Sequence, residues 1–287
     1  MAATATVTHL YRYPVKSCRG ERLPVARVEP WGLAGDRRWM IVDAGGEAVT
    51  AREHPRLLLV TPCLDGDGGI RLTEPDMPDL TVPAPDGTGL IPVAVWASTL
   101  LAAPAGPAAD AWLSKVAGEP VRLVYLDDPT RRRPDPEYSR DGDRVSFADG
   151  YPLLLTAESS LAELNEAIAA GPLAAEGPLA MRRFRPNVIV TGSGPWAEDR
   201  WRLLRIGDVT FRNVRGCDRC VMPAIDPDTA VRGKEPTATL ARLRRWDGRV
   251  WFGINLIPDS PQPAGGTIQA GDPVEVLEED SAGGPLR

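Results

Sequence analysis

The chain has 287 residues, a formal net charge of -6 and a pI near 5.2, so its overall field does not favour nucleic-acid binding. Hydrophobic residues make up 43% and charged residues 25%, as in ordinary water-soluble globular proteins. No apolar run is long enough to span a bilayer, and the amino terminus lacks the basic and apolar regions of a secretory signal. We therefore expect a cytoplasmic protein that holds any anionic ligand with a local cluster of Arg and Lys.

Short apolar and β-branched runs, separated by turn residues, fill the first third of the chain. Several alternate polar and apolar residues, as half-buried strands do, and the pattern predicts a small barrel or curled sheet. One amphipathic helix follows, with Trp112, Leu113 and Val116 on its apolar face and Gly118 at its end.

The polar, proline-rich segment from Pro129 to Arg144 predicts a surface loop near a domain boundary. Beyond it, a strand leads into a helix with Leu161, Leu164 and Ile168 at helical spacing, and one more helix is expected after Pro236. The predicted fold is mainly β (α+β), with an N-terminal β-barrel-like domain over 1–125, a second mainly β domain with a few helices over 126–278, and a disordered tail over 279–287.

Two of the four cysteines, Cys217 and Cys220, form a C-x-x-C pair. A structural zinc site usually needs four Cys or His ligands, and only two histidines and two distant cysteines remain. A thioredoxin-type dithiol should begin a helix, whereas a proline and a DPD turn follow here. Both interpretations are disfavoured, and a pair of thiols in a β-turn stays open. Arg215 and Arg219 flank the pair, and such cations favour the thiolate that binds soft metals.

Three further segments carry side chains that suit an anion. Lys16-Ser17 places an ammonium beside a hydroxyl after an apparent strand, without the glycine-rich loop of a P-loop. Arg37-Arg38 leads into a strand, where alternation turns one guanidinium inward toward an anionic partner. Arg185 and Asn187 precede another apolar strand. Each segment alone is also compatible with an ordinary turn.

Taken together, the segments resemble the MOSC family, named after the C-terminal domain of molybdenum cofactor sulfurase. The resemblance is closest to the two-part subgroup that includes the mitochondrial amidoxime-reducing component and its bacterial relatives, and it runs from about Val7 to Leu277. It is carried by YPVKSCRGE, GLAGDRRWMIVD, TAREHPRL, SFADGYPLLLTAESSLAELN, RFRPNVIV, CDRCVMPAIDPDTA, FGIN and GTIQAGDPVEVL.

The resemblance implies that the 126–278 region is a MOSC β-barrel and that a molybdenum–molybdopterin cofactor (Moco) lies between the two parts. By the family motif, Cys220 is the catalytic cysteine and the protein ligand of the metal, whereas Cys217 is not a ligand. The phosphate end of the pterin is implied to face Lys16, Ser17 and Arg37. The remaining cofactor contacts implied by the resemblance are Gly150, Tyr151, Arg185, Asn187, Asp218, Arg219 and Asn255.

The activity implied by the resemblance is reduction of N-hydroxylated compounds, such as amidoximes and hydroxylamines, by two-electron oxygen abstraction. Some bacterial relatives carry a plant-type ferredoxin domain, whose cysteines are missing after Cys220, so we expect a separate ferredoxin or flavin reductase as electron donor. We also expect no counterpart of the membrane anchor of the mitochondrial members. His54 and Asp226 are candidate proton donors, each equally compatible with a structural role.

Two other functions stay open. The protein could carry the cofactor, or carry sulfur as a Cys220 persulfide. Alternatively, it could be a non-catalytic domain with a zinc-bound or free cysteine pair. In the leading interpretation the partners are a small N-hydroxylated substrate and an electron-transfer protein, with neither nucleic acid nor membrane.

Overall fold

Residues 5–259, 265–281 and 284–287 are described by a computed structural model. In this part of the chain the strands are β1 (Ala5–Arg12), β2 (Glu21–Leu23), β3 (Val25–Glu29), β4 (Gly32–Leu33), β5 (Trp39–Val42), β6 (Thr61–Leu64), β7 (Ile70–Glu74), β8 (Met77–Val82), β9 (Ile91–Val95), β10 (Ser98–Pro104), β11 (Arg122–Tyr125), β12 (Leu153–Ala157), β13 (Val188–Thr191), β14 (Trp201–Ile206), β15 (Val209–Asp218), β16 (Arg245–Trp246), β17 (Arg249–Pro258), β18 (Thr267–Gln269) and β19 (Pro273–Glu279). The α-helices are α1 (Pro107–Ala117), α2 (Glu158–Ala169) and α3 (Thr237–Leu243). Short 3-10 helices cover Pro55–Leu59, Pro129–Arg131, Ala174–Glu176, Met181–Phe184, Ala197–Arg200 and Met222–Ala224. The prediction of a mainly β fold with a few helices is confirmed.

Seven strands close into a barrel in the order β12-β13-β1-β19-β14-β15-β17, and β17 pairs back to β12. Only the β12–β13 pair is parallel, and the connection between these two strands contains α2. The first strand completes the ring, because Leu10 pairs with Val188 of β13 and Ala5 pairs with Val274 of β19. The barrel thus includes a strand from the segment predicted as the N-terminal domain, and the boundary at residue 125 stays a prediction.

Smaller sheets make up the rest of the β-structure, in the orders β5-β11-β10-β9, β6-β7-β8 and β18-β3-β4. The predicted apolar face of α1, formed by Trp112, Leu113 and Val116, packs in one buried cluster with Trp39 of β5 and Leu123 of β11. Burial of this face stabilises the helix, whose isolated length would be marginal in water. The helix ends where predicted, since Gly118 adopts a left-handed conformation with φ 80°.

The other helices pack on the outside of the barrel. In α2, Leu164 and Ile168 are buried in a cluster with Phe184 and Phe252 of β17, and Leu161 packs against it. The third helix, α3, contributes Leu240 to the same cluster and begins directly after Pro236. None of the described helices combines the length and apolar character needed to cross a membrane.

The segment from Pro129 to Arg144 is largely an exposed loop, as predicted, but it contains one buried cation. Arg132 is only 4% exposed. Its guanidinium donates hydrogen bonds to the backbone carbonyls of Ser146 (2.6 Å), Ala148 (2.5 Å) and Asp149 (3.0 Å). A buried cation needs acceptors, and these distant carbonyls supply them, which the local composition did not reveal.

The C-terminal residues also differ from the predicted disordered tail. Glu279 belongs to β19, Pro285 is buried, and the Gly216 N–H donates to the Leu286 carbonyl at 2.7 Å. The pairing of β15 with β17 shifts register between Gly216 and Asp218, and an N–H displaced from its ladder needs another acceptor. Residues 282 and 283 of the predicted tail lie outside the described residues.

Candidate functional site

A cleft of about 1390 Å³ opens between the barrel and the N-terminal sheets. The fold brings all of the site residues predicted from the sequence to its lining. They are Lys16, Ser17, Arg37, Gly150, Tyr151, Arg185, Asn187, Asp218, Arg219, Cys220 and Asn255. Their roles toward a cofactor stay predictions, but the contacts of each side chain show what it is able to do.

Lys16 lies at one end of the cleft with its side chain 5% exposed. Its backbone N–H donates to the Trp39 carbonyl at 2.8 Å, which fixes the chain beside β5. The ammonium donates to the Phe147 carbonyl at 2.9 Å and to the Asp149 carboxylate. Burial lowers the pKa of Lys16 to about 8, against the opposing effect of Asp149. The ammonium therefore stays mostly charged at neutral pH and has one N–H left for a ligand.

Two arginines that are far apart in the sequence both stack on the ring of Tyr13. The guanidinium carbons of Arg37 and Arg185 lie 4.4 and 4.3 Å from its centroid. Arg37 is neutralised by the buried Asp36. Arg185 donates to the Cys18 carbonyl at 2.7 Å, and no carboxylate among the described residues forms an ion pair with it. Burial lowers the pKa of Arg185, and its charge calls for an anion.

Asn187 holds Arg37 in place. Its Oδ1 accepts hydrogen bonds from Arg37 (2.9 Å) and from the Leu154 N–H (3.2 Å), while Nδ2 donates to the Tyr11 carbonyl (3.1 Å). The amide is 0% exposed and engaged on both its oxygen and its nitrogen. These contacts position Arg37, and the direct cofactor contact implied by the resemblance stays a prediction.

Arg52, Trp96 and Asp149 complete this end of the cleft and were not predicted. Arg52 Nη2 lies 3.1 Å from Asp149 Oδ2, and its guanidinium carbon lies 4.3 Å from the Trp96 ring centroid. Trp96, at the tip of the β9–β10 hairpin, is 48% exposed. Removal from water would raise the pKa of Asp149, but the positive charges of Lys16 and Arg52 outweigh this effect. They hold the pKa of Asp149 well below its usual range.

A signal for two of these residues was present. Arg52 and Asp149 lie within the quoted segments TAREHPRL and SFADGYPLLLTAESSLAELN, and a residue-by-residue comparison of those segments would have drawn attention to them. Nothing in the local pattern around Trp96 marks it as more than a hairpin residue.

The two cysteines that line the cleft occupy different environments. Arg219 Nη1 donates to Cys217 Sγ at 2.8 Å, and Nη2 donates to the Phe184 carbonyl at 2.9 Å. Burial raises the pKa of Cys217, and it outweighs the lowering by Arg219 that was expected of a flanking cation. Cys220 is exposed, and Arg52 lies within reach of its sulfur.

The remaining predicted residues frame the cleft in different ways. Asp218 is ion-paired with Arg249, and Asn255 Nδ2 donates to the Gly216 carbonyl at 3.0 Å, which supports the strand that carries Cys217 and leads to Cys220. A side-chain carbon added at Gly150 would contact no atom within 4 Å, so this position is open to the cleft. Burial raises the pKa of Tyr151 to about 12.

Several buried donors in the lining lack protein partners. Tyr151 Oη and the Nε atoms of Arg52, Arg215 and Arg219 are inaccessible to water and have no hydrogen-bond partner within the described residues. Unpaired buried donors are costly, and a bound ligand with several acceptors would satisfy them. The same part of the chain contains no group of three His, Cys, Asp or Glu side chains that would hold a metal ion alone.

The two candidate proton donors lie outside the residues that line the cleft. His54 is held by the Ala117 carbonyl at 3.1 Å and by Glu119 at 2.9 Å. Asp226 pairs with Arg183 at 2.6 Å and accepts the backbone N–H groups of Asp228 and Thr229. Both are engaged in structural contacts.

Comparison with known proteins confirms the resemblance seen in the motifs. The MOSC N-terminal beta barrel domain matches residues 4–120, and the MOSC domain matches residues 142–275. Human mitochondrial amidoxime-reducing component 1 is 34% identical over 95% of this chain and 83% of its own length. Human mitochondrial amidoxime reducing component 2 is 30% identical over 94% and 82%, respectively. Rice molybdenum cofactor sulfurase is 31% identical over 85% of this chain, which spans 31% of that longer protein.

Proposed function

The chain belongs to the MOSC family in its two-part form, and from this premise we propose that it is a molybdenum-cofactor-dependent oxidoreductase for N-hydroxylated compounds such as amidoximes and hydroxylamines. The observation that supports the proposal is that one cleft contains both the exposed Cys220 thiol and the cations Lys16 and Arg185. A soft ligand and an anion site in one cavity match a ligand that has both a metal and a phosphate.

The donor set fits a molybdenum–pterin cofactor. Lys16, Arg37 and Arg185 would hold its phosphate by charge-assisted hydrogen bonds, and Cys220 would bind the metal. The unpartnered Tyr151 Oη and Arg215 Nε would serve acceptors along the cleft. When bound, such a cofactor supplies two-electron transfer and takes up the oxygen of an N–OH group.

The protein's own residues organise this chemistry. Arg219 engages the Cys217 sulfur, which leaves Cys220 as the accessible thiol of the pair. Asn187 fixes Arg37, and Arg132 fixes residues 146–149 at the edge of the cleft. Reduction of an N–OH group consumes two electrons and two protons and releases water. We propose that a separate ferredoxin or flavin reductase delivers the electrons.

A cofactor or sulfur carrier is the second candidate. It is favoured by one observation, the exposure of the Cys220 thiol, because a persulfide must reach a partner's active site. A carrier and an oxidoreductase share the same binding cleft but differ in turnover.

Metal analysis of protein from a cofactor-competent host tests the binding part of the proposal. We expect near-stoichiometric molybdenum in the unaltered protein and in Cys217→Ala, and its loss in Cys220→Ala. Cys217→Ala is the matched control, since it removes the neighbouring thiol. Zinc in place of molybdenum, or equal loss in both variants, would contradict the proposal.

Turnover separates the two candidates. The molybdenum-loaded protein should reduce benzamidoxime to benzamidine with a reduced viologen dye as electron donor. A fully loaded protein that leaves benzamidoxime unchanged would favour the carrier.

A further inference from the structure

Asp149 is an anion placed among the cations that are proposed to bind an anion. Its carboxylate pairs with Lys16 and Arg52 and is 60% exposed in the cleft. The nearby Asp36 is different, because its side chain is 0% exposed and accepts the Tyr13 N–H at 2.7 Å. Asp36 is therefore fixed inside the protein, whereas Asp149 lies where a ligand arrives.

The two cations are held without the help of Asp149. Lys16 donates to the Phe147 carbonyl at 2.9 Å, and its Nζ lies 5.4 Å from the Trp96 ring centroid. Arg52 stacks on the same ring. Loss of the Asp149 carboxylate would leave both side chains in position, so orientation of the cations does not require it.

An anion that binds Lys16 or Arg52 must share them with this carboxylate. Like charges a few ångströms apart repel each other strongly in a partly dehydrated cleft. The repulsion acts on every anion that reaches these cations. A small anion makes few other contacts with which to offset it, whereas a larger ligand can also contact Arg185 and Cys220, which line the same cleft.

We propose that Asp149 is a specificity-determining residue that keeps small free anions, such as inorganic phosphate, out of the cofactor site. A larger ligand that also contacts Arg185 and Cys220 displaces the carboxylate from Lys16 and Arg52. This inference rests on the proposed function, because it concerns the same anion site.

Calorimetric titration with inorganic phosphate tests the inference on full-length protein from a host that cannot make the pterin cofactor. We expect Asp149→Asn to bind phosphate about tenfold more tightly than the unaltered protein, since one unfavourable charge interaction is removed. Asp141→Asn is the matched control, because Asp141 is fully exposed and pairs with Arg133 at 2.7 Å. It should change the dissociation constant by less than about twofold.

Two further measurements keep the test decisive. Asp149→Glu retains the charge and should bind phosphate as weakly as the unaltered protein. Asp149→Asn should melt at a lower temperature in phosphate-free buffer and regain its stability as phosphate is added. Unchanged or weaker phosphate binding by Asp149→Asn overturns the inference, as does a variant that remains unfolded at saturating phosphate.

The result of the phosphate titration can be told apart from the result of the experiments that test the proposed function. Absence of molybdenum in the unaltered protein from a cofactor-competent host would remove the oxidoreductase proposal. The phosphate comparison involves no metal and would keep its meaning.

Discussion

Arg52 and Arg244 make the same two kinds of contact, with a tryptophan ring and with an aspartate, in two different regions of the molecule. Arg52 stacks on Trp96 at 4.3 Å and pairs with Asp149. Arg244 stacks on Trp196 at 4.3 Å and on Trp246 at 4.7 Å, and it pairs with Asp199. The difference lies in exposure, because the Asp199 side chain is 2% exposed and the Asp149 side chain 60%.

The two clusters also reach charge balance differently. Beside Asp199, the fully buried Glu198 accepts the Ser160 hydroxyl, and burial raises the pKa of Glu198 to about 7. A proton on Glu198 thus neutralises the excess negative charge of the closed cluster around Arg244 and Asp199. The open cluster around Arg52 and Asp149 instead has an excess of positive charge, which a ligand from the cleft can neutralise. The same kinds of side chain stabilise the fold where they are enclosed and remain accessible to a ligand where they open onto a cavity.

Replacement of each arginine in turn should give the largest effect, and it should separate the stabilising role of Arg244 from the proposed binding role of Arg52. Arg244→Leu leaves Asp199 buried without its partner, which should cost about 3–5 kcal/mol of unfolding free energy. Arg52→Leu should cost less than about 1 kcal/mol, because Asp149 can be hydrated, yet it should weaken phosphate binding. Urea unfolding and calorimetry measure the two quantities. Equal destabilisation by both substitutions would break the comparison.

The closed cluster should also make stability depend on pH. The folded-state pKa of Glu198, about 7, exceeds its ordinary value of 4.5. The folded protein therefore binds a proton that the unfolded chain has released, and the stability that this proton contributes is present below pH 4.5 and lost as the pH rises through 7. Glu198→Gln should remove this decline, which is up to about 3 kcal/mol. Urea unfolding at pH 5 and 7.5 checks it, and the exposed Glu166→Gln should retain the decline.

The open cluster should respond to pH through ligand binding. Because the pKa of Lys16 is about 8, its positive charge is lost as the pH rises through that value. We expect phosphate affinity to fall about tenfold between pH 7 and 9.5. Lys16→Met should bind phosphate weakly and without this pH dependence. A profile that is equally steep in Lys16→Met would assign the effect to another group.

The site residues that could be predicted from the sequence are those that lie in short segments with a recognisable motif. Cys220, Lys16 and Arg185 each stand in such a segment, and all three line the cleft. Arg52 and Asp149 are 97 positions apart, and neither pattern indicates that the two side chains meet. The same limit applies to Arg219, whose position suggests a partner for both sulfurs although its hydrogen bond goes to Cys217.

The fold was likewise predictable where it depends on local patterns and not where it depends on contacts between distant residues. Alternating strands and the apolar face of α1 are local patterns and were predicted. The pairing of Ala5 with Val274 joins opposite ends of the chain, and no periodicity encodes it. Arg132 was misjudged because its polar neighbours indicate solvent, whereas its acceptors are the carbonyls of residues 146, 148 and 149.

The place of β1 in the barrel imposes an order on biosynthesis. This strand is synthesised well before β19, one of its two barrel neighbours. The ring cannot close until β19 has been made, and such long-range pairing is slow to form. Lys16 lies shortly after β1, so we expect the barrel to fix it beside Asp149 and Arg185 only once β19 has paired. An anion that needs all three side chains in place should then bind only after the ring has closed.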